Sequence, residues 1–378
     1  MYIYRLLIKQ IEKYLIPGQV VVVYGARRVG KTTIIKHLLK TLPGKTKFIN
    51  ADNRIERKGI QTDNLYDLRS LLSQYSTLII DEAQKVANIG EILKLIVDNI
   101  PELQILVSGS ASFELANQIG EPLTGRKRTL TMYPIAMDEL FTGDPTNLHE
   151  QLEERLIYGS YPKVMTIADR AEKKVELEEI VSSYLFKDIL ELQNIKNPQV
   201  LQDLLTLLAF QIGSEVSVHE IGQKLGLHRE KTEQYLDLLE KVFVIYKVRA
   251  LSRNLRNEVT KSAKYYFYDN GIRNTIINNF NGLSLRNDVG HLWENFLMNE
   301  RMKFLSFEQI SVKKYFWRTY QQKEIDLVEE RDGKFFAYEF KYNTEKVKIP
   351  REFLEGYPES TFNVVHKGNF VDFITKKE

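Results

Sequence analysis

Three runs of consecutive apolar residues dominate the first third of the chain: Val20-Val21-Val22-Val23, Leu78-Ile79-Ile80 and Ile105-Leu106-Val107. None alternates with polar residues. Both faces of such a strand are buried, as in a parallel sheet covered by helices. Helical stretches separate the runs, at Ile34 to Leu39, Asn64 to Tyr75 and Gly90 to Ile100, and Lys47-Phe48-Ile49-Asn50 adds a further strand. Alternating strands and helices predict right-handed crossovers, with the ligand at the carboxyl edge of the sheet. A short amphipathic helix over 1–16 leads into this core through Pro17-Gly18, and the core extends to about residue 142.

The pattern then changes. Residues 143–212 keep helical spacing, with Leu148, Leu152 and Leu156, then Val175 to Leu192, then Val200 to Phe210. Tyr158-Gly159-Ser160-Tyr161-Pro162 breaks the first two helices, and the segment reads as a helical lid or linker. Over 213–250, Ser217 caps a short helix with apolar Ile221 and Leu225, Gly226 turns the chain, and a second helix runs from about His228 to Lys241. With the strand Val242 to Arg249 after it, this is the pattern of a winged helix. In the remainder, 251–378, Asp332-Gly333 sits between two strand-like runs and signals a two-residue hairpin.

Composition narrows the class. Hydrophobic residues make up 43% and charged residues 27%, the balance of an ordinary soluble globular chain. The absence of cysteine excludes disulfides, thiolate metal sites and a cysteine nucleophile. A net charge of +3 is too small to demand nucleic acid, so any basic surface is local. No stretch approaches the ~20 apolar residues of a membrane span, and the start of the chain lacks a signal-peptide pattern. A cytoplasmic protein without a membrane partner is expected.

The chemistry concentrates after the first apolar run. Gly25-Ala26-Arg27-Arg28-Val29-Gly30-Lys31-Thr32-Thr33 fits G-x-x-x-x-G-K-[ST] between a strand and a helix. The glycines let backbone N–H groups curl round a phosphate at a helix N-terminus. Lys31 is placed to reach the terminal phosphates and the Thr32 hydroxyl to hold Mg²⁺. Asp81-Glu82 closes another apolar run, so Asp81 is the expected metal ligand and Glu82 the group that polarises attacking water. Ser108 and Ser110, at the end of the next strand, are candidate γ-phosphate contacts, though serines there also suit turns. Arg126, in the loop after Gly125, is a candidate arginine finger acting in cis or from a neighbouring subunit of a homo-oligomer.

A second constellation follows from the hairpin. With Arg331 paired to Lys334, Asp326 lies across from Glu339 and Glu324 across from Lys341. Two close carboxylates call for a hard divalent ion, so Asp326 and Glu339 are candidate metal ligands and Lys341 a candidate phosphate contact. That is the D…E-x-K arrangement of metal-dependent nucleases, with Glu294 as a third acid. Arg229, Lys231, Lys247 and Arg249 are the candidate DNA contacts of the winged helix, although Glu230 and Glu233 share its second helix.

With these motifs assembled, the chain resembles prokaryotic AAA-like P-loop ATPases that carry a winged helix and a C-terminal restriction-endonuclease-like domain of uncertain function. The resemblance rests on Gly25–Thr33, Leu78–Gln84, Val107–Ser112, Leu123–Arg126, Tyr158–Pro162, the winged-helix stretch, the run from Lys264 to Gly271, and Asp326, Glu339 and Lys341. It implies an α/β chain with a P-loop core at 1–142, a helical lid at 143–212, a winged helix at 213–250 and an α/β nuclease-like domain at 251–378. ATP and Mg²⁺ are the implied cofactors, because no guanine-reading N-K-x-D element is present. The leading expectation is an ATPase whose hydrolysis is coupled to the other domains. An ATP-gated DNA endonuclease and a nucleotide switch that binds double-stranded DNA or a protein partner are the alternatives.

Overall fold

Three buried strands flanked by two more exposed ones order the amino-terminal unit, Tyr2–Tyr133. A computed structural model of the chain describes residues 3–109, 122–182, 198–251, 263–319, 321, 323–344 and 346–375. In this unit β1 (Val20–Tyr24), β2 (Thr46–Asn50), β3 (Thr77–Asp81), β4 (Gln104–Gly109) and β5 (Lys127–Thr131) form a five-stranded sheet in the order β2-β3-β4-β1-β5. All its pairings are parallel. Every residue of β1 and β3 is buried, which is why both strands read as unbroken apolar runs. The helices Arg54–Ile60 and Leu65–Leu72 start on Asn53 and Asn64, whose side chains accept from the backbone N–H groups of Ile55 and Tyr66.

The second unit, Pro134–Glu378, is built on a mixed sheet. Its strands are β6 (Glu215–Val216), β7 (Ile245–Ala250), β8 (Ala263–Phe267), β9 (Lys313–Arg318), β10 (Glu324–Arg331), β11 (Lys334–Phe340) and β12 (Thr361–Val365). They run in the order β12-β11-β10-β9-β7-β8-β6. The β10–β11 hairpin turns through Asp332 and Gly333, with φ of 48° and 78°, the pair of positive φ values of a type I′ turn. Its register runs from Arg331↔Lys334 to Leu327↔Tyr338, and a bulge interrupts β10 against β9 between Ile325 and Val328.

This sheet contains strands from both sides of the boundary expected at residue 250. The helices Val218–Leu225 and Arg229–Lys241 and their Gly226 turn (φ 65°) are present. After them β7 pairs antiparallel with β8, β8 pairs antiparallel with β6, and the other edge of β7 pairs parallel with β9. Of the long helix expected over Val175 to Leu192, the described part is Arg170–Ile180, and Ser110 and residues 183–192 lie outside the described residues.

Two stretches singled out in sequence lock together here. Asp269 accepts from the backbone N–H of Ser160 at 2.6 Å and from that of Ile272 at 3.1 Å, capping the helix Asn270–Ile276 while anchoring the Tyr158–Pro162 break. Asn274 Nδ2 donates to the carbonyls of Leu156 and Ile157, closing the end of the helix Thr146–Tyr158. Nearby, Asp288 binds Arg273 at 2.5 Å and Arg286 at 2.8 Å. Burial raises the Asp288 pKa, but the two guanidiniums outweigh it and bring it down to about 2. A carboxylate held lower in the folded state than in the unfolded chain contributes stability above pH ~4, and that stability is lost as pH falls toward 2. Asp288→Asn leaves the buried Arg273 and Arg286 guanidiniums without their carboxylate and is therefore expected to cost about 3 kcal/mol at pH 7. Thermal midpoints measured between pH 4 and 2 should fall less steeply for this variant than for wild type.

Candidate functional site

Tyr24 ends β1 at the carboxyl edge of the parallel sheet, and the loop that follows is shaped by close contacts. A Cβ at Gly25 would stand 2.2 Å from the Met132 carbonyl oxygen, and Met132 N–H donates to the Tyr24 carbonyl at 2.6 Å. Only a glycine lets the loop leave the strand beside its neighbour. Arg28 and Gly30 have φ of 61° and 104°, which turn the chain into the helix Lys31–Thr41. Lys31 is buried, and its Nζ donates to the carbonyls of Gly25 and Ala26, both at 2.8 Å. Burial pulls its pKa down to about 8, with Glu82 and Asp81 opposing the shift and Arg27 adding to it. The ammonium thus sits inside the loop, where an incoming phosphate would meet it.

The acids stand beside it. Asp81 ends β3; its Oδ2 accepts from Thr32 Oγ1 at 2.7 Å, and its Oδ1 accepts from the buried Ser108 hydroxyl on β4 in a short contact. Glu82 adopts φ of 54°, its N–H donates to Asp81 Oδ1 at 3.1 Å, and Gln84 Nε2 donates to its carboxylate at 2.6 Å. Thr32, Asp81 and Ser108 thus come from three adjacent elements to one point on the sheet edge. A hydroxyl and a carboxylate oxygen side by side are a donor set that suits Mg²⁺.

Two arginines change the picture drawn from sequence. Arg5, overlooked there, is buried in the amino-terminal segment and donates to the carbonyls of Val29 at 2.8 Å and Tyr133 at 2.7 Å, tying the phosphate loop to the end of the unit. Its only signal was a charge beside the apolar run Leu6-Leu7-Ile8. Arg126 is corrected as a finger in cis. Its carbonyl accepts from Val20 N–H at the start of β1 and its guanidinium pairs with Asp98, so it lies at the amino edge of the sheet. The length of β1, roughly 15 Å, separates that edge from the loop.

The second constellation is also assembled, with an addition. Glu339 and Lys341 pair at 2.7 Å, and Asp326 Oδ2 accepts from the backbone N–H of Phe340 at 2.7 Å. Glu294, on the helix Val289–Phe307, accepts from Tyr266 OH at 2.7 Å and from Lys264 Nζ at 3.0 Å. Lys264 also contacts Glu324 and stands 4.0 Å from Asp326 Oδ1. Burial, then the Glu294 charge, pushes Asp326 up to about 7 against Lys264 and Lys341. Glu339 rises to about 7, through burial and then Asp326. For Lys264, burial alone would lower the pKa, but Glu294, Asp326 and Glu324 hold it above the ordinary lysine range. Among the described residues, no group of three or more His, Cys, Asp or Glu is placed to hold a metal ion. Asp326 and Glu339, the acids expected to hold Mg²⁺, are engaged here by the Phe340 N–H and by the Lys341 ammonium.

The candidate DNA contacts lie on or near the surface, three of them beside polar or aromatic neighbours. Arg229 pairs with Glu233 at 2.8 Å, Lys231 Nζ donates to Gln234 at 3.2 Å, and Lys247 stands 3.8 Å from Glu240 and over the Tyr265 ring. Arg249 is exposed on β7. Among the described residues, no helix is long and apolar enough to cross a membrane.

Comparison with known proteins divides the chain in three. Residues 17–141 match the model of an AAA domain, residues 149–282 a domain of unknown function (DUF8612) and residues 289–377 another (DUF4143). An uncharacterised protein of Mycobacterium tuberculosis is 25% identical over 326 residues, covering 85% of this chain and 70% of its own length. One of Methanocaldococcus jannaschii is 26% identical over 325 residues, covering 80% and 71%. Among solved structures, a Walker-type ATPase of Pyrococcus abyssi aligns over 71% of this chain and 94% of its own, at 17% identity and a TM-score of 0.46.

Proposed function

Taking residues 17–141 as an AAA-like P-loop domain, we propose that the protein binds ATP there and hydrolyses it with Mg²⁺. The observation that carries this is the 2.7 Å contact between Thr32 Oγ1 and Asp81 Oδ2 beside buried Lys31. A chain that used its phosphate loop only as a turn would not need a hydroxyl, a carboxylate and an ammonium converging on the sheet edge. Thr32 and Asp81 would hold Mg²⁺, which when bound neutralises charge on the β- and γ-phosphate oxygens. Lys31 exchanges the carbonyls of Gly25 and Ala26 for phosphate oxygens. Glu82 takes the proton of the attacking water, and Gln84 fixes the direction of its carboxylate. Ser108 holds Asp81 from the other side and keeps it aimed at Thr32.

ATP turnover by the full chain, measured with Mg²⁺ and with EDTA, tests the proposal. Phosphate release that EDTA abolishes is expected; no release at any divalent ion concentration overturns it. The same assay with added double-stranded DNA reads whether the unit Pro134–Glu378 reports a DNA partner to the ATP site.

A further inference from the structure

Four carboxylates from three elements meet in the second unit: Glu294 on the helix Val289–Phe307, Glu324 and Asp326 on β10, and Glu339 on β11. Acids gathered this closely need positive charge among them. In a D…E-x-K nuclease that charge is a divalent ion. Here it is a side chain of the chain itself, since Lys264 Nζ lies 3.0 Å from Glu294, in contact with Glu324 and 4.0 Å from Asp326. Lys341 serves Glu339 in the same way at 2.7 Å.

We infer that Lys264 is the resident cation of this cluster, standing between Glu294, Glu324 and Asp326 in place of a metal. The cluster is then held together by a cation of the chain itself, which competes with a divalent ion for Glu294, Glu324 and Asp326.

The backbone keeps the lysine in place. Lys264 lies within β8, which is paired on both sides, with Val248 of β7 and with Glu215 of β6. Its side chain is fully buried and its ammonium stands 5.5 Å from the centre of the Phe316 ring. To let a metal in, that ammonium would have to leave a site from which its strand cannot swing. Tyr266, two residues on and on the same face of β8, also donates a hydrogen bond to Glu294. Asp326 Oδ2 accepts from the Phe340 N–H at 2.7 Å, and Oδ1 faces Lys264 at 4.0 Å. A divalent ion arriving here would meet an ammonium at its centre and carboxylates already turned toward it.

The test counts bound Mn²⁺ by the loss of its free electron paramagnetic resonance signal, using the nucleotide-free full chain. Wild type and Asp326→Asn are expected to bind the same number of ions. Lys264→Met, which keeps the stem and removes the charge, should gain one Mn²⁺ site, and Lys264→Met with Asp326→Asn should lose it again. An ion held by wild type and released by Asp326→Asn overturns the inference. So does a Lys264→Met protein with wild-type circular dichroism that takes up no further ion. If Lys264→Met does not fold, the comparison of wild type with Asp326→Asn decides alone. Supercoiled plasmid incubated with wild type and Mn²⁺ should stay intact, and nicking that Asp326→Asn abolishes counts against the inference.

Discussion

Glu82→Gln is expected to lower ATP turnover by about a hundredfold to ten-thousandfold while leaving ATP affinity within about twofold, the signature of a lost general base. The substitution is close to isosteric. Glutamine can hold the same left-handed backbone position, where Glu82 has φ of 54°, and its amide oxygen can still accept from Gln84 Nε2. Asp81 keeps its bonds to Thr32 and Ser108, so the side chains that face phosphate and metal are untouched. What disappears is the carboxylate that takes a proton from water. Single-turnover phosphate release and calorimetric binding of ATP separate the two effects. Unchanged turnover would show that another group activates the water; lost affinity would show that the carboxylate supports the fold of the site rather than the reaction.

The phosphate loop and the acids of β3 were legible because their signals are local. A parallel strand buried on both faces must be apolar throughout, and the loop that leaves it is spelled out in consecutive residues from Gly25 to Thr32. The hairpin was legible for the same reason, since Asp332-Gly333 sets both the turn and the register that follows. Features that depend on strand order were not. Arg126 follows a glycine and reads as a loop residue, but a strand parallel to β1 must begin at the edge opposite its phosphate loop. β7 reads as the strand that closes a two-helix module, and its further parallel pairing with β9 was not legible, because β9 comes later in the chain and nothing in Ile245–Ala250 announces it. Lys264 is visible as a lysine among aromatics, yet its role depends on acids from a helix and a hairpin that only the folded sheet brings to it. In each case the missing information was the partner, not the residue.

Lys31→Ala should weaken ATP binding by at least about a hundredfold and abolish turnover with it. The loss corresponds to roughly 3 kcal/mol, the scale of one charge-assisted contact removed from a shielded site. In the free protein the ammonium donates to the carbonyls of Gly25 and Ala26, and both lose that donor when the side chain is cut back. The loop has other supports. Arg5 still holds the Val29 carbonyl, Met132 still packs against Gly25, and alanine is well suited to the first turn of the helix Lys31–Thr41. The thermal midpoint should therefore move by only a few degrees, so that lost binding reports the missing charge and not an unfolded unit. Comparing this variant with Glu82→Gln distinguishes capture from chemistry: one fails to bind, the other binds and stalls. If Lys31→Ala bound ATP as wild type does, the phosphate would lie elsewhere, and the convergence of Thr32, Asp81 and Ser108 would be no more than a polar seam at the edge of the sheet.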